Sequence, residues 1–247
     1  LKFRKLGHDK MRKRIYELDL LRGLGILLVV FFHSAWNICY EYGFTIIEGK
    51  WVICLVYFFA GMLIFVSGAS SFLGHKTLKR GIMTFAFGMV VTGVTYFIYP
   101  DSYIKFGILH LLGVCMIMSW MIKKIKPTQN LIGIISAIMI IAGIIAGNIT
   151  VKNKYIFWLG FLPENFSSLD YYPILPWMGV FFAGFVFSML FYKDKESPFT
   201  KGIYKNNILT FSGRHSMLIY LVHQPIVYFL MFYTPIEKLL DKFFMNI

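Results

Sequence analysis

The chain has 247 residues, 57% of them hydrophobic and 19% aromatic, with a mean hydropathy of +0.65 and a formal charge of +13. A soluble globular chain carries an apolar share nearer ~45–50%, so a soluble fold is excluded, and the lack of alternating strand-length segments disfavours an outer-membrane barrel. The basic residues sit in short segments between apolar stretches, where they signal topology, so nucleic acid is not an expected partner.

Lys2, Arg4, Lys5, Lys10, Arg12, Lys13 and Arg14 precede the first apolar stretch, at about 17–38. A basic lead into an apolar run has the outline of a signal peptide, but Asp19 and Arg22 interrupt the run and no small-x-small cleavage site follows. A retained first span is therefore expected. An ionisable side chain at the centre of a membrane helix costs roughly 2.5–3.5 kcal/mol, so it usually persists for a use. Counting about 100° per residue from Asp19, Arg22 falls near 300°, His33 near 320° and Asn37 close to 0°. One narrow stripe thus carries two polar pairs, with apolar Ile26, Val29 and Val30 between them. From Asp19 to His33 is about 21 Å of helix rise.

Six more apolar stretches follow, at about 51–73, 81–99, 106–122, 131–151, 174–192 and 208–233, which predicts an all-α polytopic bundle of seven transmembrane helices. One membrane domain is expected over 1–247, with 1–14 as its basic cytoplasmic N-terminus. With that end inside, the inner loops hold seventeen Lys and Arg against six in the outer segments, which predicts N-in and C-out. In the third span Gly81, Thr84, Gly88, Thr92 and Thr95 share a face suited to close helix packing. The long outer segment of about 152–173 contains Tyr155 to Leu162, too short to span and read as a re-entrant or interfacial piece. Pro173 and Pro176 set the entry to the sixth span. In the seventh, Ser212, Ser216, Tyr220 and His223 fall within about 80° of arc, a second polar stripe.

Running these spans in alternating directions places His33, His110 and His223 at one depth, with Asp170 on the loop above. A neutral imidazole can accept a proton from an attacking amine or hydroxyl, and a carboxylate can hold its tautomer. For His110, at a helix end, an inter-helix hydrogen bond is the simpler reading. The inner layer holds Asp19, Arg22, Arg80, Arg214 and His215 beside basic loops, a set suited to a multiply phosphorylated ligand. The structural alternative for Asp19 and Arg22 is an i, i+3 salt bridge, and Arg80 is explained by the positive-inside bias. Cys39, Cys54 and Cys115 show no C-x-x-C spacing and no metal-ligand pattern, so no metal is expected. A G-x-S-x-G elbow, an H-E-x-x-H helix, a P-loop and a dinucleotide fingerprint are all absent from the sequence.

Arg14-Ile-Tyr-Glu-Leu-Asp19-Leu-Leu-Arg22-Gly23, with His33 ten residues on, resembles the opening of membrane acyltransferases. Phe65-Val-Ser-Gly-Ala69, Tyr172-Pro-Ile-Leu-Pro-Trp177 and Gly213-Arg-His-Ser-Met-Leu-Ile-Tyr220-Leu-Val-His223-Gln-Pro225 extend the likeness over nearly the whole chain. The chain is similar to small bacterial members of the heparan-alpha-glucosaminide N-acetyltransferase catalytic-domain family, once known only as a domain of unknown function, and more distantly to the acyltransferase-3 family. That resemblance implies a multi-pass enzyme of the bacterial cytoplasmic membrane, passing an acetyl group from cytoplasmic acetyl-CoA to a sugar acceptor across the membrane. In the animal enzymes the catalytic histidine belongs to the outer loop after the first motif. The loop from Tyr40 to Lys50 has no histidine, which leaves His33, as in the acyltransferase-3 pattern.

The resulting expectation is an acyltransferase in which His33 is general base or transient acyl acceptor, aided by His223 and Asp170. Asp19, Arg22 and Arg214 would bind the phosphates of the acyl-CoA donor. Membrane lipid, acyl-CoA and a sugar or glycan acceptor are the expected partners, with homodimer formation left open. The leading alternative is a transporter or flippase for a glycan or lipid precursor, in which the same stripes line a pathway without covalent chemistry. A non-catalytic membrane scaffold is a third reading.

Overall fold

The computed structural model describes residues 14–42, 49–192, 197–199 and 205–233. The apolar stretches form helices α1 (Tyr16–Tyr42), α2 (Lys50–Leu73), α3 (Thr77–Ile98), α4 (Ile108–Ile125), α5 (Gln129–Ala146) and α6 (Ile174–Phe191), then α7 (Ile208–Arg214) and α8 (Ser216–Tyr233). Among the described residues seven of these, all but α7, are long and apolar enough to cross a membrane. The protein is an all-α polytopic membrane bundle. Most of the basic N-terminal segment, and most of the loop between α1 and α2, lie outside the described residues.

The last span is broken where a single helix over 208–233 was expected. His215 takes a non-helical conformation (φ −106°, ψ 14°), and its N–H is shared between the carbonyls of Phe211 and Ser212, both at 3.2 Å. Its imidazole Nδ1 lies 2.9 Å from the Phe211 carbonyl, with the ring packed on that of Phe211. An angular count carried through 215 therefore misplaces Ser212 relative to Tyr220 and His223.

The chain divides into two compact units. The first comprises the described residues within Leu1–Leu18 and Ile64–Tyr204. Here α3 packs on α4, and α5 on α6. Close approach rests on small residues, as is usual where both lipid and protein are apolar and dispersion decides association. A Cβ at Gly68 would lie 1.8 Å from the Phe181 carbonyl oxygen, and one at Gly184 would lie 1.9 Å from that of Phe65, so two glycines seat the end of α2 against α6. The face expected on α3 is the packed one, with Gly81, Thr84 and Gly88 buried. Phe181, Phe185, Ile64 and Leu111 form the centre of this unit, each no more than 2% exposed. The Lys123 ammonium donates to the Ser71 and Gly74 carbonyls, the latter at 2.6 Å, and so satisfies carbonyls that the end of α2 leaves open.

Glu17, at the start of α1, accepts from the Tyr192 hydroxyl at 3.1 Å and from the Ser197 hydroxyl. Burial, and then the neighbouring Glu17 carboxylate, push the Tyr192 phenol up, which keeps it a donor. The segment between α5 and α6 is an ordered loop. Strands β1 (Thr150–Val151) and β2 (Leu162–Pro163) pair in parallel around a 3₁₀ turn at Phe157–Leu159. The piece expected to be re-entrant or interfacial, Tyr155 to Leu162, forms this turn and the start of β2. Tyr171 donates to the Phe157 carbonyl at 2.6 Å, and burial pushes its phenol up to about 12. Lys105 donates to the Ser167 carbonyl at 2.7 Å while its ammonium lies 5.0 Å from the Phe166 ring centre.

The second unit comprises the described residues within Asp19–Leu63 and Lys205–Ile247, that is, most of α1, the first part of α2, and α7 and α8. In it α1 crosses α7 backbone to backbone. A Cβ at Gly23 would lie 1.8 Å from the Leu209 carbonyl oxygen, and one at Gly213 would lie 1.8 Å from that of Asp19. Glycine is required at both positions because helix backbone occupies the space.

Candidate functional site

The crossing of α1 and α7 sets the first polar group. Arg22 Nη1 donates to Asp19 Oδ1 at 3.3 Å and to the Gly213 carbonyl at 3.4 Å, and Asp19 is 6% exposed. The i, i+3 bridge read from the sequence is present and reaches a second helix. Arg214 follows Gly213 directly, and its buried Nε has no hydrogen-bond partner among the described residues. The Arg214 guanidinium carbon lies 6.0 Å from the Phe211 ring centre. An unsatisfied buried donor costs free energy, and a phosphate oxygen is the acceptor that guanidinium geometry fits best. The residues present fit the anionic end of a phosphorylated ligand. Arg80 belongs to the other unit, and His215 serves the turn between α7 and α8.

The second polar group joins α1 to α8. His33 Nδ1 lies 2.8 Å from His223 Nε2, although the two residues are 190 positions apart in the chain. Their rings are near parallel, with centroids 5.1 Å apart. The partner of the remaining His223 nitrogen assigns the protons. His223 Nδ1 lies 2.5 Å from the Tyr220 carbonyl, which can only accept, so Nδ1 carries hydrogen. In a neutral His223 the Nε2 is then a lone pair, which must accept from His33 Nδ1–H. His33 Nε2 is left as a bare lone pair with no partner among the described residues. The chain runs from His33 through His223 to a backbone dipole, so a proton arriving at His33 Nε2 is stabilised along two hydrogen bonds. One turn further along α1, Asn37 Nδ2 donates to Gln224 Oε1 at 2.9 Å.

Asp170 and His110 lie in the first unit. Asp170 Oδ2 accepts the Ile108 N–H at 2.9 Å, at the start of α4, where helix amides need acceptors. A Cβ on Gly107 would stand 2.2 Å from that oxygen, so glycine there admits the carboxylate. His110 is 3% exposed and has a complete set of partners. Its Nδ1 accepts the Gly107 N–H at 3.2 Å, which makes Nε2 the protonated nitrogen, donating to Thr92 Oγ1 at 3.2 Å. The Thr92 hydroxyl passes its own hydrogen to the Ile104 carbonyl at 2.7 Å. The hydrogen-bonding reading of His110 is the one the structure bears out.

Reading the residues singled out His33, His223, Asp19 and Arg22, which meet in the two pairs above. It did not single out Gln224. The available signal was Asn37, a polar amide one turn from His33 inside a span, which requires a partner from another helix.

These features define a polytopic membrane protein with an arginine–aspartate pair near the start of its first span and an imidazole pair with a bare nitrogen near that span's other end. A family model, heparan-alpha-glucosaminide N-acetyltransferase, catalytic, matches residues 14–225, and the chain belongs to that family of membrane acetyltransferases. Comparison with curated proteins and with solved structures returned no match.

Proposed function

We propose that the protein is an acetyltransferase of the bacterial cytoplasmic membrane, oriented N-in and C-out, that takes acetyl groups from cytoplasmic acetyl-CoA and passes them to a sugar or glycan acceptor at the opposite face. The observation that carries this reading is the lone pair on His33 Nε2, held in one tautomer by His223 and the Tyr220 carbonyl. Acetyl-CoA supplies the acetyl group as a thioester, already activated toward an amine or a hydroxyl.

Arg22 and Arg214 would hold the donor's phosphates, with Asp19 keeping the Arg22 guanidinium in place. His33 Nε2 takes the proton that the acceptor amine or hydroxyl loses as it bonds to the acetyl carbon. The same proton then goes to the departing sulfur as the carbon–sulfur bond breaks, so His33 ends neutral and CoA leaves as a thiol. His223 is a positioning residue in this scheme. General-base assistance of this kind is worth about 10²–10⁴ in rate.

The test is release of CoA thiol by protein purified in detergent with acetyl-CoA and a sugar amine. His33→Ala should lose at least about a hundredfold in kcat and keep its unfolding temperature. Equal rates in that variant would remove His33 from the mechanism. Flux of a glycan precursor into proteoliposomes with no thioester cleavage would establish transport instead.

A further inference from the structure

We infer that Asn37 and Gln224 form a specificity subsite that reads a hydroxyl group on the acceptor, next to the atom that receives the acetyl group. The inference rests on the acetyl-transfer reading of the imidazole pair and assigns the neighbouring amides a separate task.

Two cross-links tie α1 to α8, His33 to His223 at 2.8 Å and Asn37 to Gln224 at 2.9 Å. Asn37 follows His33 by one helical turn, so the two rungs lie about 6 Å apart along α1, roughly the breadth of a single sugar ring. Each amide has a carbonyl oxygen and an NH₂, and the bond between them uses one donor and one acceptor. Asn37 Oδ1 and Gln224 Nε2 have no other partner among the described residues. This count does not depend on how the two amides are turned. Rotating both would exchange the free ends, and one unbonded carbonyl oxygen and one unbonded NH₂ group would still remain.

An unused acceptor and an unused donor on one bonded pair of side chains are the complement of a hydroxyl, which donates one hydrogen bond and accepts another. They do not match a carboxylate, which only accepts, or an ammonium, which only donates. The two helices that carry these amides are neutral along this stretch. No Asp, Glu, Lys or Arg occurs in α1 between Arg22 and Glu41 or anywhere in α8, and Glu41 is exposed at the end of its helix. Both amides are partly buried, so an acceptor that lacks the hydroxyl would cover their free ends and leave them unpaired. That loss is how a polar site rejects a deoxygenated analogue. Simple inter-helix adhesion would require the one hydrogen bond, but it would not make the enzyme sensitive to acceptor hydroxyls.

The experiment compares two amines with the same reacting group, glucosamine and the hydroxyl-free 3-aminotetrahydropyran, with acetyl-CoA as donor and the full chain in detergent. Gln224→Met and Asn37→Leu remove the polar ends at similar volume, and unfolding temperatures show whether each variant is folded. Each variant is compared with the unaltered protein on the same amine, so the amines' different basicities cancel. The expected result is a fall of at least about tenfold in the ratio of kcat/KM for glucosamine to that for 3-aminotetrahydropyran, carried mainly by KM. Gln224→Glu, which retains an acceptor and loses the NH₂ donor, should lower the ratio partway. A ratio unchanged in all three folded variants overturns the subsite and leaves the acetyl-transfer reading intact. Failure of the unaltered protein to acetylate either amine overturns both.

Discussion

Replacing Gly213 with alanine should separate two helices and disarm the guanidinium group at their crossing. The new Cβ would stand 1.8 Å from the Asp19 carbonyl oxygen and 3.0 Å from the Gly23 nitrogen, where real Cβ contacts do not fall below 3.0 Å, so α1 and α7 must part by about 1.2 Å. Both obstacles are helix backbone, so no rotamer change relieves the clash. The Arg22 bond to the Gly213 carbonyl, already 3.4 Å long, breaks with the separation. Overpacking costs roughly 1–3 kcal/mol and a hydrogen bond from a charged donor contributes a comparable amount, so the combined loss is about 2–4 kcal/mol after allowing for relaxation. That is about 30- to 800-fold in the folded population. Gly93→Ala is the control, since nothing lies within 4 Å of its added methyl. On helix propensity alone that variant should gain up to about 1 kcal/mol. The measurements are denaturant unfolding in detergent and the KM for acetyl-CoA. Gly213→Ala should unfold earlier and show a raised KM, whereas Gly93→Ala should show neither. If the two variants unfold within about 0.5 kcal/mol of each other with the same KM, the backbone contact at Gly213 is not what holds Arg22 in place.

Lys123→Met keeps the length of the side chain but leaves the Ser71 and Gly74 carbonyls without their ammonium donor, and should cost about 1–3 kcal/mol in the same unfolding assay while kcat per folded molecule is unchanged. His110→Ala should behave similarly, because the Gly107 amide and the Thr92 hydroxyl both lose a buried partner. A His110→Ala variant of normal stability and no activity would move that residue from scaffold to chemistry. Tyr171 titrates from its ordinary value of 10.0 up to about 12 in the folded chain, so the folded state retains a proton that the unfolded state loses. Its stabilising contribution is complete below pH 10 and fades as the pH rises towards 12. Tyr171→Phe should flatten that part of the stability curve, and an unchanged curve would show that burial does not hold its phenol protonated.

Much of the second unit was legible from spacing. Asp19, Arg22, His33 and Asn37 lie on one stripe because helix periodicity is a local property, and the structure presents that stripe to α7 and α8. The seven spans were legible because a bilayer demands a minimum apolar length. The last helix was misread as continuous because the turn at His215 depends on where its imidazole and amide find acceptors, and no proline or glycine marks the break at that residue. Asp170 was read as a loop carboxylate that aids His33. Its hold on the first amide of α4 joins segments 62 residues apart, which no local pattern encodes.

Composition and periodicity determined how many times the chain crosses a membrane and which side chains share a helix face, since hydrophobic length and a 3.6-residue repeat act within one segment. Only the tertiary structure decided which imidazole nitrogen is bare. That outcome depends on a carbonyl at Tyr220 and a ring at His223 meeting His33 within hydrogen-bond distance, and contacts of that range between distant segments are set by the packing of glycine-lined helices.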